Sequence, residues 1–250
     1  MIRVIVAGYN GSMGRASLNM LSRQQAMEVV GVYSPNRHDV LEGVSVFQSL
    51  EDIDVEADVW LDFTTPDAVY ENAHFAIDNG LKPIIGTTGL TDDQIAELQA
   101  YSKERSVSGL IVPNFSMSAV LLMKFSKEAA RYFQDVEVIE MHHEDKKDTP
   151  SGTALSTAKR IDAVRKQHEQ GNSKETLPGA RGADYNGIRI HSVRLPGYVA
   201  HEQVLFGGEG EALTIRQDSF NRSSFMSGVA LAIEKVDQVD GLQVGLETVM

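Results

Sequence analysis

The side chains best suited to chemistry lie together in one stretch of the sequence, residues 140–154. It contains the adjacent histidines His142 and His143, followed by Lys146. An imidazole can move a proton near neutral pH, and a lysine can bind an anion or donate a proton. The Ser-Gly-Thr sequence at 151–153 is expected to begin a helix, whose free N–H groups suit a carboxylate. Together these features predict an anion pocket that also contains a proton donor.

Three other interpretations of this stretch have to be weighed. A histidine pair in a loop could bind a metal, but no third histidine or carboxylate stands at a recognisable ligand spacing, so no metal is expected. The charged run 144–148 could be only a solvated loop, which is the usual meaning of such a run. Ser151 could be a nucleophile, but it lacks the G-x-S-x-G pattern of a serine hydrolase. The flanking His-His and Ser-Gly-Thr favour the anion pocket.

A glycine-rich turn near the N-terminus is the second candidate site. Three glycines at 8, 11 and 14 follow an apolar run and precede a helical pattern. In this context glycines allow backbone N–H groups and a helix N-terminus to approach a pyrophosphate. The spacing is G-x-x-G-x-x-G and not the usual G-x-G-x-x-G, so a generic glycine turn is the alternative. We predict a dinucleotide site that includes Gly8, Tyr9, Asn10, Gly11, Ser12 and Met13.

The residues after the second predicted strand bear on the choice of cofactor. In NAD-binding sites an acidic residue at this place hydrogen-bonds the ribose hydroxyls. Here the sequence is Tyr-Ser-Pro-Asn-Arg at 33–37, without a carboxylate. Arg37 together with Ser34 could accept a 2′-phosphate, so we expect NADPH in preference to NADH. The alternative is that Arg37 is only a solvated loop cation.

The residue pattern in the first half of the chain predicts the fold that would position this dinucleotide site. Helical patterns alternate with short apolar runs, of the kind found in strands buried on both faces. The expected strands are 2–7, 29–33, 59–62, 83–85 and 110–112. Thr91 and Gln94 form a capping box at one helix start, and Pro66 is expected in the first turn of another helix. This alternation predicts an α/β domain with a Rossmann-like, doubly wound parallel sheet.

Two further loops follow strands of this sheet. They are Gly-Thr-Thr-Gly at 86–89 and Pro-Asn-Phe-Ser at 113–116. The carboxyl ends of the strands form the ligand crevice in open α/β sheets, so both loops are expected to face the cofactor.

Beyond residue 114 the pattern changes. Helices are expected at 119–133 and from 151 to about 168, and residues 169–186 are expected to form a loop. The expected strands are 136–141, 188–195, 199–206 and 213–217, with a turn at 207–210. Strands that follow helices predict an α+β domain with an open sheet. We therefore divide the chain into a dinucleotide-binding domain, 1–115 with 223–250, and a substrate-binding and oligomerisation domain, 116–222.

The amino-acid composition argues against several classes of function. The 250 residues carry a net charge of −12, and such an acidic surface repels phosphate backbones, so nucleic acid is not an expected partner. There is no cysteine, which excludes disulfides, thiolate nucleophiles and Cys-ligated zinc. No apolar run is long enough to span a membrane, and no signal peptide is evident. We expect a cytoplasmic protein.

The motifs resemble those of the 4-hydroxy-tetrahydrodipicolinate reductase (dihydrodipicolinate reductase) family. The resemblance covers nearly the whole chain and is most specific in E-x-H-H-x-x-K-x-D-x-P-S-G-T-A at 140–154. It also includes Asp-Phe-Thr at 62–64 and the loops described above. The family reduces a cyclic imine dicarboxylate with a nicotinamide cofactor, with loss of water, in the diaminopimelate and lysine pathway. Its second domain has an open mixed sheet that builds a homotetramer.

The resemblance implies roles for individual residues. His142 would donate and accept a proton, Lys146 would be a second proton donor, and Arg222 matches a family arginine near the domain junction. The substrate carboxylates would be bound by His143, Lys146, Gly152 and Thr153. The cofactor would be lined by residues 8–13, by Gly86, Thr87 and Thr88, and by Val112, Pro113, Asn114 and Phe115.

The sequence also departs from the family pattern. Glu144 and Asp145 are acidic where better-known members carry basic or polar residues, so we expect them to point away from the dianionic substrate. His201-Glu202 replaces a common Gly-Glu-His, and no role is assigned to it. The alternatives are another two-domain dehydrogenase of the aspartate family and a nucleotide-binding homologue without catalysis. Neither is expected to carry the full His-His-x-x-Lys and Ser-Gly-Thr stretch.

Overall fold

The computed structural model describes residues 1–36, 41–167 and 169–250. The chain forms two compact units, Met1–Phe115 with Arg222–Met250, and Ser116–Asn221. Arg222, which the sequence analysis assigned to the second domain, groups with the first unit. No helix in the described part of the chain is long and apolar enough to cross a membrane.

The first unit contains a seven-stranded sheet, in which every pairing of neighbouring strands is parallel. Its strands are β1 (Ile2–Ala7), β2 (Met27–Tyr33), β3 (Ser45–Phe47), β4 (Val59–Asp62), β5 (Lys82–Ile85), β6 (Gly109–Ile111) and β12 (Leu242–Val244). The helices of this unit are α1 (Ser12–Leu21), α2 (Val69–Asp78), α3 (Asp92–Glu104) and α6 (Met226–Lys235). The order β12-β6-β5-β4-β1-β2-β3 is that of a doubly wound nucleotide-binding sheet, which confirms the predicted fold class.

Burial explains why the strands of this sheet are continuously apolar. Val4, Ile5 and Val6 in β1 are fully buried, as is Trp60 in β4. The Trp60 ring lies 5.4 Å from the Phe75 ring of α2, in edge-to-face contact. Apolar strands in a parallel sheet pack against helices on both faces, so they do not alternate with polar residues.

The second unit contains a five-stranded mixed sheet in the order β11-β10-β7-β9-β8. The strands are β7 (Asp135–His142), β8 (Ala183–Tyr185), β9 (Ile188–Arg194), β10 (Ala200–Gly208) and β11 (Glu211–Ser219). Strand β7 pairs with β9 in parallel and with β10 antiparallel, so the sheet is mixed, as the family resemblance implied. Helices α4 (Met117–Ala129) and α5 (Gly152–Asp162) pack against it.

Several boundaries differ from the sequence-based predictions. Helix α2 begins at Val69 and not at Pro66, because the N–H groups of Ala68 and Val69 both donate to the carbonyl of Thr65 in a turn. Helix α5 ends at Asp162 and does not extend to about 168. Strands β3, β8 and β12 were not predicted, and each has only three residues.

Candidate functional site

The glycine-rich turn lies where the order of the first sheet reverses, between β1 and β4. Gly8 has a φ of 74°, and a Cβ there would lie 2.3 Å from the carbonyl oxygen of Phe63. A Cβ on Gly14 would lie 2.3 Å from the carbonyl oxygen of Gly8. Neither position has room for a side chain, so the loop after β1 lies close to the loop after β4, and helix α1 lies close to the loop after β1. Such a switch point is the usual ligand crevice in open α/β sheets.

A cavity of about 300 Å³ opens at this switch point. Its lining residues are Gly8, Asn10, Gly11, Tyr33, Ser34, Pro35, Asn36, Phe63, Thr64, Thr65 and Ala68. Helix α1 begins beside it with Gly11 as N-cap, and within the described range 1–36 no side chain caps this helix start. Its free N–H groups and the absence of bulk at the glycines fit a dinucleotide phosphate.

The other residues predicted in the glycine turn differ in exposure. Tyr9 is buried, at 2% exposure, whereas Ser12 is exposed and Met13 half-buried in the first turn of α1. Ser34 is buried at 7% and lines the cavity. Arg37, the predicted contact to a 2′-phosphate, lies outside the described residues.

A buried carboxylate, Asp62, joins two of the predicted cofactor loops. Asp62 Oδ1 accepts hydrogen bonds from Thr64 N (3.0 Å), Thr64 Oγ1 (2.6 Å) and Thr87 Oγ1 (2.7 Å). Asp62 Oδ2 accepts from Trp60 Nε1 (3.1 Å) and Asn72 Nδ2 (2.9 Å). All five donors are neutral. They fix the loop after β4 to the loop after β5, which contains Thr87.

The remaining predicted cofactor residues follow β5 and β6. A Cβ on Gly86 would lie 2.3 Å from the Phe63 ring and 2.8 Å from the Phe115 ring, so the aromatic pair requires glycine there. Thr88 is exposed. In the loop after β6, Val112 and Phe115 are buried, Asn114 is half-buried and Pro113 is exposed. Both loops follow strands at the carboxyl end of the sheet, and contact of Gly86–Thr88 and Val112–Phe115 with the cofactor stays a prediction.

In the second unit, His142 ends strand β7 and contacts a buried carboxylate. His142 Nδ1 lies 2.5 Å from Glu140 Oε2. Arg194, at the end of β9, donates 2.8 Å hydrogen bonds to both oxygens of Glu140. The backbone N–H of Ser151 donates to Glu140 Oε1 at 3.2 Å. Glu140 Oε2 therefore contacts both His142 and Arg194, and Glu140 Oε1 binds Arg194 and the start of α5.

The charge on Glu140 determines which nitrogen of His142 carries a hydrogen. Burial raises the pKa of this carboxyl, but hydrogen bonds from His142, Arg194 and Ser192 outweigh it and lower the pKa to about 2. An ionised carboxylate only accepts hydrogen bonds, so His142 Nδ1 is the donor. His142 Nε2 is then the nitrogen that remains to exchange a proton with a ligand.

Lys146 lies in the loop after β7 and is bridged to helix α5 by Asp148. Lys146 Nζ donates to Asp148 Oδ1 at 2.7 Å, and the backbone N–H of Gly152 donates to Asp148 Oδ2 at 3.3 Å. The hydrogen bond from Lys146 lowers the pKa of Asp148. Arg194 also donates to the backbone oxygen of Asp148 at 2.8 Å. The Asp148 carboxylate thus contacts both the predicted lysine and the N-terminus of helix α5. Arg194 connects Asp148 to the Glu140–His142 pair.

The other predicted substrate residues flank this cluster. His143 is exposed, and Thr153 is half-buried in the first turn of α5. Glu144 and Asp145 are both exposed. Arg222 opens a short 3-10 turn in the first unit.

Sequence reasoning missed the roles of Arg194, Asp148 and Asp62. Arg194 lies 54 positions from Glu140 and meets it only because β7 and β9 pair in parallel with His142 opposite Arg194. No local sequence pattern reveals which residues of β7 and β9 lie opposite each other. Asp148 and Asp62 stand within quoted motifs, and a carboxylate in a predicted buried strand end, as at Asp62, is the signal that could have been used.

Comparison with known proteins identifies the family. The sequence model described as dihydrodipicolinate reductase, N-terminus, matches residues 2–115, and the one described as dihydrodipicolinate reductase, C-terminus, matches residues 118–250. The chain belongs to the dihydrodipicolinate reductase family. The resemblance stated from the sequence is thereby confirmed.

Full-length relatives within the dihydrodipicolinate reductase family are similar throughout. The 4-hydroxy-tetrahydrodipicolinate reductase of Lactiplantibacillus plantarum is 58% identical over 258 residues, covering 99% of both chains. That of Enterococcus faecalis is 52% identical, and the alignment covers 100% of both chains. A solved structure of dipicolinate-bound dihydrodipicolinate reductase from Paenisporosarcina sp. TG-14 has 45% identity and a TM-score of 0.95 over 100% of both chains. D-galactose-1-dehydrogenase from Rhizobium etli, at 16% identity and a TM-score of 0.63, shares the fold alone; the match covers 99% of this chain and 91% of that one.

Proposed function

We propose that this protein is a 4-hydroxy-tetrahydrodipicolinate reductase of the diaminopimelate and lysine pathway. It removes the 4-hydroxyl of the cyclic imine dicarboxylate as water and reduces the conjugated ring to tetrahydrodipicolinate with a nicotinamide cofactor. The observation that carries the proposal is the Glu140–His142–Arg194 cluster beside Lys146, in a chain 58% identical to a reductase of that name.

His142 and Lys146 supply the proton chemistry of the reaction. The nicotinamide cofactor, when bound, supplies the hydride. A ring that accepts a hydride gains electron density and needs a proton, which His142 Nε2 can deliver because Glu140 fixes the other nitrogen. The Lys146 ammonium stabilises the developing negative charge and is the second proton donor.

The substrate carboxylates bind to His143, Lys146, Gly152 and Thr153. Asp148 supports this assignment, because its carboxylate already bridges Lys146 Nζ and the N–H of Gly152. The position therefore accepts a carboxylate with a cation on one oxygen and a helix N–H on the other. When the substrate binds there, its carboxylate displaces that of Asp148.

The cofactor residues lie in the first unit, and NADPH is the preferred form. The cavity wall at 33–36 contains Tyr33, Ser34, Pro35 and Asn36 and no carboxylate to bind ribose hydroxyls. Ser34 and Arg37 are the proposed contacts to a 2′-phosphate, and NADH is the alternative cofactor. Arg37→Ala separates the two, because it should raise KM for NADPH by about tenfold or more and leave KM for NADH nearly unchanged.

The second unit also supports a homotetramer. Helices α4 and α5 pack on one face of the mixed sheet. On the other face, Ile139, Val193 and Leu205 are each half-buried in the single chain. A partner subunit that covers this face would bury them, and native mass spectrometry of the purified protein measures the assembly directly. A cytoplasmic location and the absence of a metal stay predictions.

Loss of nicotinamide absorbance tests the function. The substrate is made in situ from pyruvate and aspartate semialdehyde by the condensing enzyme, and NADPH and NADH are tried separately. Oxidation that needs both precursors and the condensing enzyme supports the reductase. A folded protein that binds cofactor but oxidises neither form would favour the non-catalytic homologue. Oxidation with another aspartate-family substrate alone would favour the alternative dehydrogenase.

A further inference from the structure

A second glutamate, Glu202, lies buried beside the proposed catalytic cluster. Its exposed fraction is 2%, and one of its oxygens, Oε1, is buried with no hydrogen-bond partner among the described residues. Unpaired buried charges are costly, so a group in this position is normally either paired or neutral. Glu202 has no cation beside it in the hydrogen bonds that the structure shows, in contrast to Glu140.

Glu202 belongs to a row of polar side chains that crosses the mixed sheet. It is paired directly with Glu140 on β7 and with Gln217 on β11, and Glu140 is in turn opposite Ser192 on β9. Directly opposed residues project to the same face of a sheet, with Cβ atoms about 5 Å apart. Two buried carboxylates at that separation do not both ionise easily, and Arg194 stabilises the charge on Glu140.

The hydroxyl of Thr157 on α5 can serve either charge state of Glu202. A hydrogen bond from Thr157 to the ionised carboxylate lowers the pKa of Glu202, and Thr157 Oγ1 also donates to the carbonyl oxygen of Thr153 at 3.1 Å. A hydroxyl has a single hydrogen to donate. While Thr157 donates it to the carbonyl oxygen of Thr153, a hydrogen bond between Thr157 and Glu202 requires that Glu202 carry the proton and donate it. When Glu202 ionises, the Thr157 hydroxyl can rotate and donate to it.

Among the described residues, Glu140 is the charged group that shifts the pKa of Glu202, and on α5 Lys159 is exposed and Arg160 half-buried. Strand β11 presents Gln217, whose Oε1 accepts from Ser118 of α4 at 3.2 Å. The charged residues of α4, Lys124, Lys127 and Glu128, are exposed. On β10 the neighbouring His201 projects to the opposite face, where it contacts Asp218. Glu140, with Arg194 and His142 attached to it, is therefore the charged cluster that Glu202 faces.

We propose that Glu202 is a positioning residue that carries the exchangeable proton of a Glu140–Glu202 pair and stabilises the protonated form of His142 when it loses that proton. Protonated Glu202 is a neutral neighbour. Ionised Glu202 adds a negative charge on strand β10 directly opposite Glu140, and this charge favours the protonated imidazole. Burial first, and the charge of Glu140 second, raise the pKa of Glu202 to about 7, against the opposing hydrogen bond from Thr157. The inference rests on the proposed role of His142.

The pH dependence of turnover tests the kinetic part. Glu202→Gln keeps the size and polarity of the side chain but cannot ionise. If ionised Glu202 stabilises the protonated imidazole, wild type should keep its kcat/KM further into the alkaline range than Glu202→Gln does. The ratio of wild-type to variant kcat/KM should be near one at about pH 6 and rise to about three to ten at about pH 9.

A matched control separates this effect from a general change of charge. Glu128→Gln removes one carboxylate from the exposed face of α4 in the same unit, and its ratio to wild type should not change with pH. A ratio for Glu202→Gln that is constant across the pH range would overturn the proposal, since a merely structural role lowers activity equally at every pH.

Infrared spectroscopy detects the protonated carboxyl group of Glu202 and needs neither substrate nor cofactor. The wild-type protein should show a carboxylic acid C=O band that disappears as the pH rises through about 7 and is absent from Glu202→Gln. In Thr157→Val the band should persist to higher pH, because the ionised form loses its donor. No such band in folded wild-type protein would overturn the proposal, even if the protein proves to be an active reductase. The band without reductase activity would contradict the proposed function and leave the proton on Glu202 established.

Discussion

The two units each bury a carboxylate at the carboxyl end of a central strand, but the partners differ. Asp62 at the end of β4 is 1% exposed and accepts five hydrogen bonds, all from neutral donors. Glu140 near the end of β7 is fully buried and binds His142 and Arg194, both of which can carry a positive charge. The first carboxylate is stabilised by dipoles and the second by ions.

The difference matches what each region is proposed to do. The five described donors to Asp62 do not titrate near neutral pH, so we expect these hydrogen bonds to persist across that range. Around Glu140, a proton on His142 changes the charge of the whole cluster, as does ionisation of Glu202 opposite it. Fixed dipoles suit a site that only binds, whereas coupled ionisable groups suit a site that moves protons.

The largest expected effect comes from removal of the cation in the second unit. Arg194→Met leaves the ionised Glu140 buried without its bidentate partner. Loss of one partner of a buried ion pair typically costs about 3–5 kcal/mol, so the free energy of unfolding should fall by about that amount. Urea denaturation monitored by circular dichroism measures it.

An exposed arginine supplies the control for this prediction. Arg216 forms a comparable contact with Asp218 but is 47% exposed, so Arg216→Met should change stability by about 1 kcal/mol or less. The double variant Arg194→Met with Glu140→Gln should recover part of the loss, because no buried charge remains. Equal losses for Arg194→Met and Arg216→Met would show that the buried Glu140 depends on its cation no more than the partly exposed Asp218 does.

Glu202 should make the stability of the protein depend on pH. Its ordinary pKa is 4.5, and in the folded protein it is about 7, so the folded chain keeps the proton over a range in which the unfolded chain releases it. The contribution of this group to stability is therefore complete below about pH 4.5 and is lost as the pH rises through about 7, by about 3 kcal/mol.

Glu202→Gln should lack this loss. The stability of the variant relative to wild type should then increase by about 3 kcal/mol between about pH 4.5 and about pH 7.5. Denaturation midpoints across this range measure the difference, with Glu128→Gln as the exposed control. A difference that stays constant with pH would mean that Glu202 ionises at the same pH in the folded and unfolded chains.

Lys146 is expected to matter for turnover more than for stability. Its ammonium contacts Asp148 and is partly exposed, so Lys146→Ala should change stability little. As the proposed second proton donor, it should lower kcat by about 10²-fold. The adjacent Lys147 is exposed, and Lys147→Ala should remain near wild type in the coupled assay. Activity of Lys146→Ala within a few-fold of wild type would exclude Lys146 from the chemistry.

The sequence predicted those parts of the fold that depend on local signals. The apolar run at 2–7 is β1, and the capping box of Thr91 and Gln94 begins α3 with both reciprocal hydrogen bonds. The end of α5 was wrong because it is set by distant contacts: Arg165 donates to the backbone oxygens of Gln134 and Asn186. The hydrophobic periodicity of the helix gives no information about these contacts of Arg165.

In the candidate site, too, some residues can be found from local signals and others only from the tertiary structure. His142 and Lys146 lie in one continuous motif and could be selected from it. Arg194 and Glu202 become neighbours of Glu140 only through the pairing of β7 with β9 and β10. A buried pair of carboxylates is therefore invisible until the register of the sheet is known, even though both residues can be read in the sequence.

The smallest effect is expected at the dipole-stabilised carboxylate. Asp62→Asn keeps the shape but replaces one acceptor oxygen by an NH₂ group. At least one of its donors, such as Thr64 N–H or Trp60 Nε1, then loses its acceptor, which costs about 1–3 kcal/mol. The exposed Asp67→Asn, in the turn before α2, is the control and should be neutral.

The consequence for activity distinguishes Asp62 from Glu140. Because Asp62 connects the loops at Thr64 and Thr87, Asp62→Asn should raise KM for the cofactor by about tenfold and leave kcat within about threefold. The pH dependence of kcat should be unchanged, since no titrating neighbour is affected. A shift of the pH profile in Asp62→Asn would show that the first unit is coupled to the proton chemistry after all, and the contrast between a binding site built from dipoles and a proton-transfer site built from ions would fail.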